Sequence, residues 1–355
     1  MDSLTQAVLG ATVGSATRGP TLGRRAALWG AVAGTLPDLD VLTYPFLDPA
    51  GQLHIHRGVT HGLAFAFVAG PLLGWLVWRF ERWRGRDGGW RDWALVMFWG
   101  LLTHPLLDVF TIYGTQLLAP FSDHPFAVGS VFILDPFVTL ALVLGLAVAL
   151  RAGRARRARG AALAGLAVGV AYLGVGVGLQ AHARETVQAA MAQRGLAADR
   201  LTLGAGPLSS LIWRGVARDG DALHPFSLHV SDAPREVLWQ PPVRAARLPP
   251  EYAASRAGRT LLWFSRGWLA EVPGDGLAVA DVRFGRLGLD ADDPWVFTWD
   301  LTSEPPFTFR QRREVSGLER GEAARLFRRI LGAREDPGPP PAVPSRRPSP
   351  DIPSP

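Results

Sequence analysis

The sequence predicts a mainly α protein: a polytopic transmembrane helical bundle, then a small soluble α+β domain and a disordered Pro-rich tail. Three observations predict it. Four apolar runs of 16–20 residues occupy the first half, each close to the ~20 residues that cross roughly 30 Å of hydrocarbon. Arginines cluster in alternate loops between these runs. Past residue 182 the long runs give way to short segments separated by turn signals. The expected units are a membrane-embedded helical domain at 1–182, an extracytoplasmic α+β domain at 183–335 and a tail at 336–355 with repeated Pro and Ser.

Leu4–Thr17 is rich in small residues and too short to span comfortably, which predicts a half-membrane or interfacial helix. The preceding Met1-Asp2-Ser3 lacks the basic stretch of a cleavable signal peptide. A second apolar segment, Ala26–Leu36, follows Arg18, Arg24 and Arg25 and stops at Pro37. The four spans are Leu63–Trp78, Trp93–Phe110, Val131–Leu150 and Ala161–Leu179. Arg79, Arg82, Arg84, Arg86 and Arg91 join the first two; Arg151, Arg154, Arg156, Arg157 and Arg159 join the last two. The opposite loops, 44–61 and 111–130, hold only Arg57. The positive-inside rule therefore predicts a multi-pass membrane protein, with the Arg-rich loops cytoplasmic and the other loops outside. Gly10/Gly14, Gly30/Gly34, Gly70/Gly74, Gly165/Gly169 and Gly174/Gly178 have the spacing that lets helices approach closely. Beyond Arg184, Asp219-Gly220 predicts a hairpin between Leu211–Arg218 and Leu223–Val230. Pro273-Gly274-Asp275-Gly276 marks a second turn, between Leu261–Glu271 and Leu277–Phe284. Trp295–Leu301 alternates like a strand, and Glu319–Leu331 has helical periodicity.

Composition narrows the chemistry. The net charge is +6, and every basic side chain is Arg. Because these arginines flank apolar runs, they read as topology signals that meet membrane lipids, and no nucleic-acid partner is expected. The absence of Cys excludes disulfides and thiolate sites, and no Gly-x-Ser-x-Gly elbow is present for a Ser nucleophile. What remains is a set of His and Asp. Asp38 and Asp40 close the second apolar segment; His54, His56, Arg57 and His61 follow; His104 and Asp108 lie one helical turn apart in the span 93–110. The predicted topology brings all of these, and Asp135, to one depth on the outer side.

Neutral His and ionised Asp without Cys suit a divalent metal, zinc first, then manganese or iron. The expected ligands are His56, His61, His104 and Asp108, with Asp38 or Asp40 completing the shell. The remaining Asp would act as general base or orient its neighbours. Gly58 would allow the turn between the two loop histidines. Arg57 either clamps an anionic substrate or pairs with Asp38 or Asp40. The function expected is a metal-dependent hydrolase cleaving a phosphoester or other ester, such as a lipid, with a metal-activated water. The other reading is a non-enzymatic metal-binding scaffold, transporter or partner-binding protein. A transporter fits less well, because the polar residues stop at one side instead of crossing the midplane.

In Met1-Asp2-Ser3-Leu4-Thr5-Gln6-Ala7, Gly34-Thr35-Leu36-Pro37-Asp38-Leu39-Asp40 and His56-Arg57-Gly58-Val59-Thr60-His61 the chain resembles the YdjM family of inner-membrane, metal-dependent hydrolases. The likeness continues through His104-Pro105-Leu106-Leu107-Asp108, Thr111-Ile112-Tyr113-Gly114-Thr115 and Ile133-Leu134-Asp135-Pro136, and covers about residues 1–180. The family's His/Asp pattern is in turn distantly similar to zinc-dependent phospholipase C and P1 nuclease, which implies phosphoester hydrolysis. The resemblance also implies a cytosolic protein partner, the repressor LexA, which an outward-facing site would not meet.

Overall fold

Gly10 and Gly14 face Gly30 and Gly34 so closely that a Cβ on any of the four would overlap the facing backbone. They join two antiparallel helices, α1 (Ser3–Leu22) and α2 (Arg24–Thr35), which turn at Gly23 with φ +62. The structure is a computed structural model and describes residues 1–274, 276–288, 290–312 and 320–334. The expected tail at 336–355 lies outside the described residues, as does Asp275 of the second turn.

Five further helices complete the first half: α3 (Pro49–Ile55), α4 (Leu63–Trp83), α5 (Trp90–Asp108), α6 (Pro136–Arg151) and α7 (Ala155–Gln193). Helix α1 packs against α2, α5, α6 and α7. The expected bounds 4–17 are therefore corrected to 3–22. The helix continues past Arg18, whose guanidinium pairs with Asp92, and its small residues make it the centre of the bundle. Helix α6 starts at Pro136, later than the expected Val131, because Asp135 caps it by accepting the N–H groups of Phe137 and Val138. Among the glycine pairs, Gly70 and Gly74 admit Phe98 and Ala94 of α5, and Gly165 meets Gly145 of α6. Gly174 and Gly178 meet nothing within 4 Å, which corrects the expectation for that pair. Among the described residues, α4 and α7 are long and apolar enough to cross a membrane, and α6 is apolar but shorter.

At the end of the bundle away from the His/Asp residues, Glu81 is 2% exposed and accepts hydrogen bonds from Trp29 Nε1 (2.9 Å) and Arg25 Nη1 (2.8 Å). One carboxylate thus ties α2 to α4. Glu81→Leu leaves those donors unpaired, and should cost about 1–3 kcal/mol because Arg25 is partly exposed. Chemical denaturation in detergent measures this; no change would show that the tie contributes nothing.

Helix α7 runs unbroken for 39 residues across the expected unit boundary at 182/183. Its last turns bury Ala183, Val187 and Ala190 against Leu203, Trp213 and Phe226 of an antiparallel sheet. That sheet contains β1 (Arg200–Ala205), β2 (Ile212–Asp219) and β3 (Ala222–His229); β4 (Leu238–Trp239) and β5 (Val243–Arg244) both pair with β3. The β2–β3 hairpin turns at Gly220, φ +58, as the Asp-Gly pair predicts. Next come α8 (Pro250–Ala254) and α9 (Arg256–Ser265), then a second antiparallel sheet in the order β6 (Leu269–Glu271), β7 (Ala278–Asp281), β8 (Thr298–Leu301), β9 (Phe309–Arg312), and finally α10 (Arg320–Ile330). Residues 261–265, expected to lead into a strand, are helical. Ser255 caps α9 by accepting from Gly258 N–H, and Leu261 and Phe264, three apart, share its buried face. The β region rests on the bundle's loops: Ala50 of α3 joins the core of the second sheet, Trp263 Nε1 donates to Asp123 O, and Arg266 Nη2 donates to Pro125 O.

Candidate metal centre

Three local features converge at one end of the bundle. Pro37 ends α2 and starts a 3₁₀ segment, Pro37–Phe46, which carries Asp38 and Asp40. A short 3₁₀ turn, Val59–His61, delivers His61 at the head of α4. The last turns of α5 carry His104 and Asp108 on one face. One donor atom from each of Asp38, His61, His104 and Asp108 lies within 4.8 Å of all the others. His61, His104 and Asp108 have side chains 0–1% exposed, whereas Asp38 is 21% exposed. The cluster is closed on three sides and open at Asp38.

The donor arrangement tests whether a cation fits. His104 Nδ1 is 2.6 Å from Gly34 O, which only an N–H can satisfy, so in the metal-ligating, neutral form of the ring Nε2 carries the lone pair. Burial lowers the His61 imidazole to about 4, against the pull of Asp38, so that ring is neutral. Its Nδ1 faces Thr60 Oγ1 at 3.1 Å, an oxygen that can accept the ring proton, and with Nδ1 so protonated the second lone pair stands on Nε2. The two Nε2 atoms are 3.1 Å apart. Asp38 Oδ1 lies 3.5 and 3.4 Å from them, and Asp108 Oδ2 lies 3.5 and 3.6 Å from them. Asp108 Oδ2 accepts no hydrogen bond among the described residues, although the Arg57 guanidinium ion-pairs with it from the far side of the cluster. Four acceptors therefore face one another without a donor between them. Ligands about 2.0–2.2 Å from a tetrahedral cation stand roughly 3.4 Å apart, which matches these spacings.

Neighbouring residues fix this geometry. Arg57 is 3% exposed; its Nε lies 3.3 Å from Asp108 Oδ2, its Nη1 donates to Thr111 Oγ1 (2.8 Å), and its guanidinium covers Tyr113 at 4.9 Å. The expected pairing with Asp38 or Asp40 is thus corrected to Asp108. The turn is also made differently: Arg57 itself takes φ +56, held by N–H donation to Asp40 Oδ2 and by its C=O accepting from Gln116 N–H. Gly58 has a negative φ and serves close approach, since a Cβ there would press on Ile55 O.

Asp40 and His56 stand outside the four-residue group. His56 Nδ1 lies 3.1 Å from Asp40 Oδ1, and Asp40 is buried, so these two expected ligands engage each other. His54 packs on Trp263, and Asp135 caps α6 and accepts from Tyr172 OH (3.0 Å). Two contributors escaped the sequence reading. Gln6 Nε2 donates to Asp108 Oδ1 (3.0 Å), and the buried amino group of Met1 ion-pairs with the same oxygen. A lone amide in an apolar, small-residue helix was the available signal for Gln6.

Fold and site together define a helical membrane-protein scaffold with a buried His/Asp cluster that can hold a metal ion. The chain belongs to the YdjM inner membrane protein family, which residues 1–183 match. The inner membrane protein YbcI of Escherichia coli (strain K12) is 42% identical over 99 residues, 27% of this chain and 54% of YbcI. The uncharacterized protein YfhP of Bacillus subtilis (strain 168) is 28% identical over 158 residues, 42% of this chain and 46% of YfhP. The chain spans about half the length of these curated relatives. No solved structure matches it.

Proposed function

We propose that the protein is a membrane-bound, metal-dependent hydrolase of phosphoesters or other esters, multi-pass, with its site and β region on the outer side of the inner membrane. The observation that carries this reading is the four-acceptor cluster closed on three sides and open at Asp38. The opening at Asp38 would let a water or substrate oxygen join the four ligands, as a reacting site requires. The Arg-rich loops at the opposite end of the helices support the orientation.

Asp38, His61, His104 and Asp108 would hold the cation, with zinc favoured by the two imidazoles and two carboxylates. A divalent cation there supplies Lewis acidity toward an ester or phosphoryl oxygen and toward water. Arg57, Gln6 and the Met1 amine orient Asp108 and offset its charge. Gly34 O fixes the His104 ring. Asp40 accepts the Nδ1 proton of His56, which leaves His56 Nε2 as a base; the ring is 22% exposed and lines the adjoining cavity. His56 is therefore assigned proton transfer at Nε2, and Asp40 positions it.

The test compares metal content and hydrolysis of chromogenic phosphoesters and carboxylic esters in detergent-purified protein. Wild type should carry stoichiometric metal and turn over one ester class. His61→Ala should lose both metal and turnover, whereas His56→Gln should keep metal and lose turnover at least 100-fold, a proton-transfer contribution. Metal without turnover of any ester class would leave a metal-holding scaffold. Absence of metal after reconstitution would remove both readings.

A further inference from the structure

Between the loops at the candidate centre and the β region lies a cavity of about 1190 Å³, larger than the ~300–1,000 Å³ of ordinary small-molecule sites. It begins at His56, Arg57 and Thr111, the layer behind Asp40 and Asp108, and extends to Arg214 and Arg286 of the β region. Among the described residues its wall carries six arginines and no carboxylate; most of the rest is apolar, including Ile112, Phe284, Phe297 and Trp299.

The arginines are not all committed to the fold. Arg57 pairs with Asp108, Arg283 with Asp281 and Arg312 with Asp300. Arg214 and Arg286 have no carboxylate within ion-pair distance among the described residues, and Asp293 acts on both only from farther away. Arg214 is held by the carbonyls of Arg286 and Gly288, and Arg286 lies over Trp295 at 4.0 Å. Arg286 Nε and Arg283 Nη1 are buried without an acceptor. Burial pulls Arg214 down to about 10, so it remains cationic at neutral pH. Two backbone-positioned guanidinium groups in a largely apolar chamber are suited to a phosphate-type anion attached to a hydrocarbon body.

The rim points to the source. Ile133, Leu134 and Leu208 line the cavity and are 43%, 50% and 42% exposed. Ile133 and Leu134 immediately precede Asp135 and the apolar helix α6, so in the multi-pass topology proposed above the mouth stands where that helix meets the membrane surface. An apolar rim at that level admits a molecule from the bilayer more readily than a polar solute from water.

We propose that this chamber takes up an anionic phospholipid from the bilayer, its phosphate held by Arg214 and Arg286 and its acyl chain against Phe297 and Trp299. That the lipid is also the substrate rests on the hydrolase reading; that it binds does not.

The experiment uses full-length, chelator-treated protein in non-ionic detergent and a phosphatidylglycerol with a photoactivatable diazirine on its acyl chain. Crosslinks are mapped by mass spectrometry. They are expected within 284–299, competed by unlabelled phosphatidylglycerol but not by diacylglycerol, oleate or glycerol phosphate at equal concentration. Arg214→Gln with Arg286→Gln should cut labelling there at least tenfold. Leu208→Asp should do the same from the rim, while Leu208→Asn should not. Leu208 is exposed and has φ +63, a region that Asp and Asn tolerate, so this pair decides the matter even if the arginine variant fails to fold. Labelling confined to membrane helices, or unaffected by these variants, overturns the proposal. Equal competition by diacylglycerol or oleate overturns phosphate recognition, and by glycerol phosphate a lipid source. With metal chelated, binding is scored apart from hydrolysis, so either reading can fail alone.

Discussion

Gly30→Val will prevent the protein from accumulating in a folded, metal-competent form. A Cβ at Gly30 would overlap Gly10 O, and one at Gly10 would overlap Gly30 O. These are backbone atoms, so no side-chain rotation relieves the clash; α1 and α2 must separate. Overpacking that side chains can absorb costs ~1–3 kcal/mol, and backbone displacement places this variant at or above the top of that range. The damage reaches the site by a direct route. Gly34 O fixes His104 Nδ1, and Gln6 donates to Asp108; both belong to the two helices being forced apart. Detergent unfolding and metal content should therefore fall together. Gly174→Ala is the control: a Cβ at Gly174 would meet no neighbouring element within 4 Å, and Ala is the better helix former by about 1 kcal/mol. A Gly30→Val protein as stable as wild type would mean that the glycine contact does not hold the bundle.

Removing divalent metal should produce the second large effect. The cluster directs four acceptors at one another, and only a cation or added protons balance that arrangement. A ligand held at 1,000 times its Kd adds about 4 kcal/mol to the folded state. For a protein of this size that is a fall in Tm on the order of 10 °C on chelation, restored by re-adding zinc, manganese or iron. His104→Ala should abolish the response. Asp135→Asn, outside the cluster and still able to cap α6, should keep it. An unchanged Tm in wild type after chelation and readdition would sink the metal centre.

How much of this was legible follows from what each signal encodes. Apolar length and Arg clustering marked the helices, but not their ends. Arg18 bounds the expected first helix, yet it finds Asp92 across the bundle, and Pro20 sits in the last turn of α1, where it leaves most of the helix undisturbed. Residues 261–264, Leu-Leu-Trp-Phe, suit a strand and a buried helix equally until Ser255 is seen to cap. Charge bias gave a common depth for the His and Asp residues without giving their directions. Asp38 and Asp40 are two apart in a 3₁₀ segment of three residues per turn, so they point about 120° apart and cannot both face one ion. His56 and His61 are parted by Arg57 in its left-handed conformation, which turns His56 toward Asp40. No residue pattern announced that conformation, since Arg rarely adopts it. The family membership, by contrast, was readable from ordered motifs in residues 1–180 and is matched over 1–183.

The continuous helix α7 has a mechanical consequence. At 1.5 Å per residue its 39 residues make a rod about 58 Å long, nearly twice the hydrocarbon thickness. One stiff strut thus fixes the altitude at which the β region rides over the bundle. An inserted turn near residue 180 would raise that region by about 5.4 Å and lift the roof from the chamber, with every lining residue unchanged. The helix is a spacer gauge, and the gap it sets is written in its length.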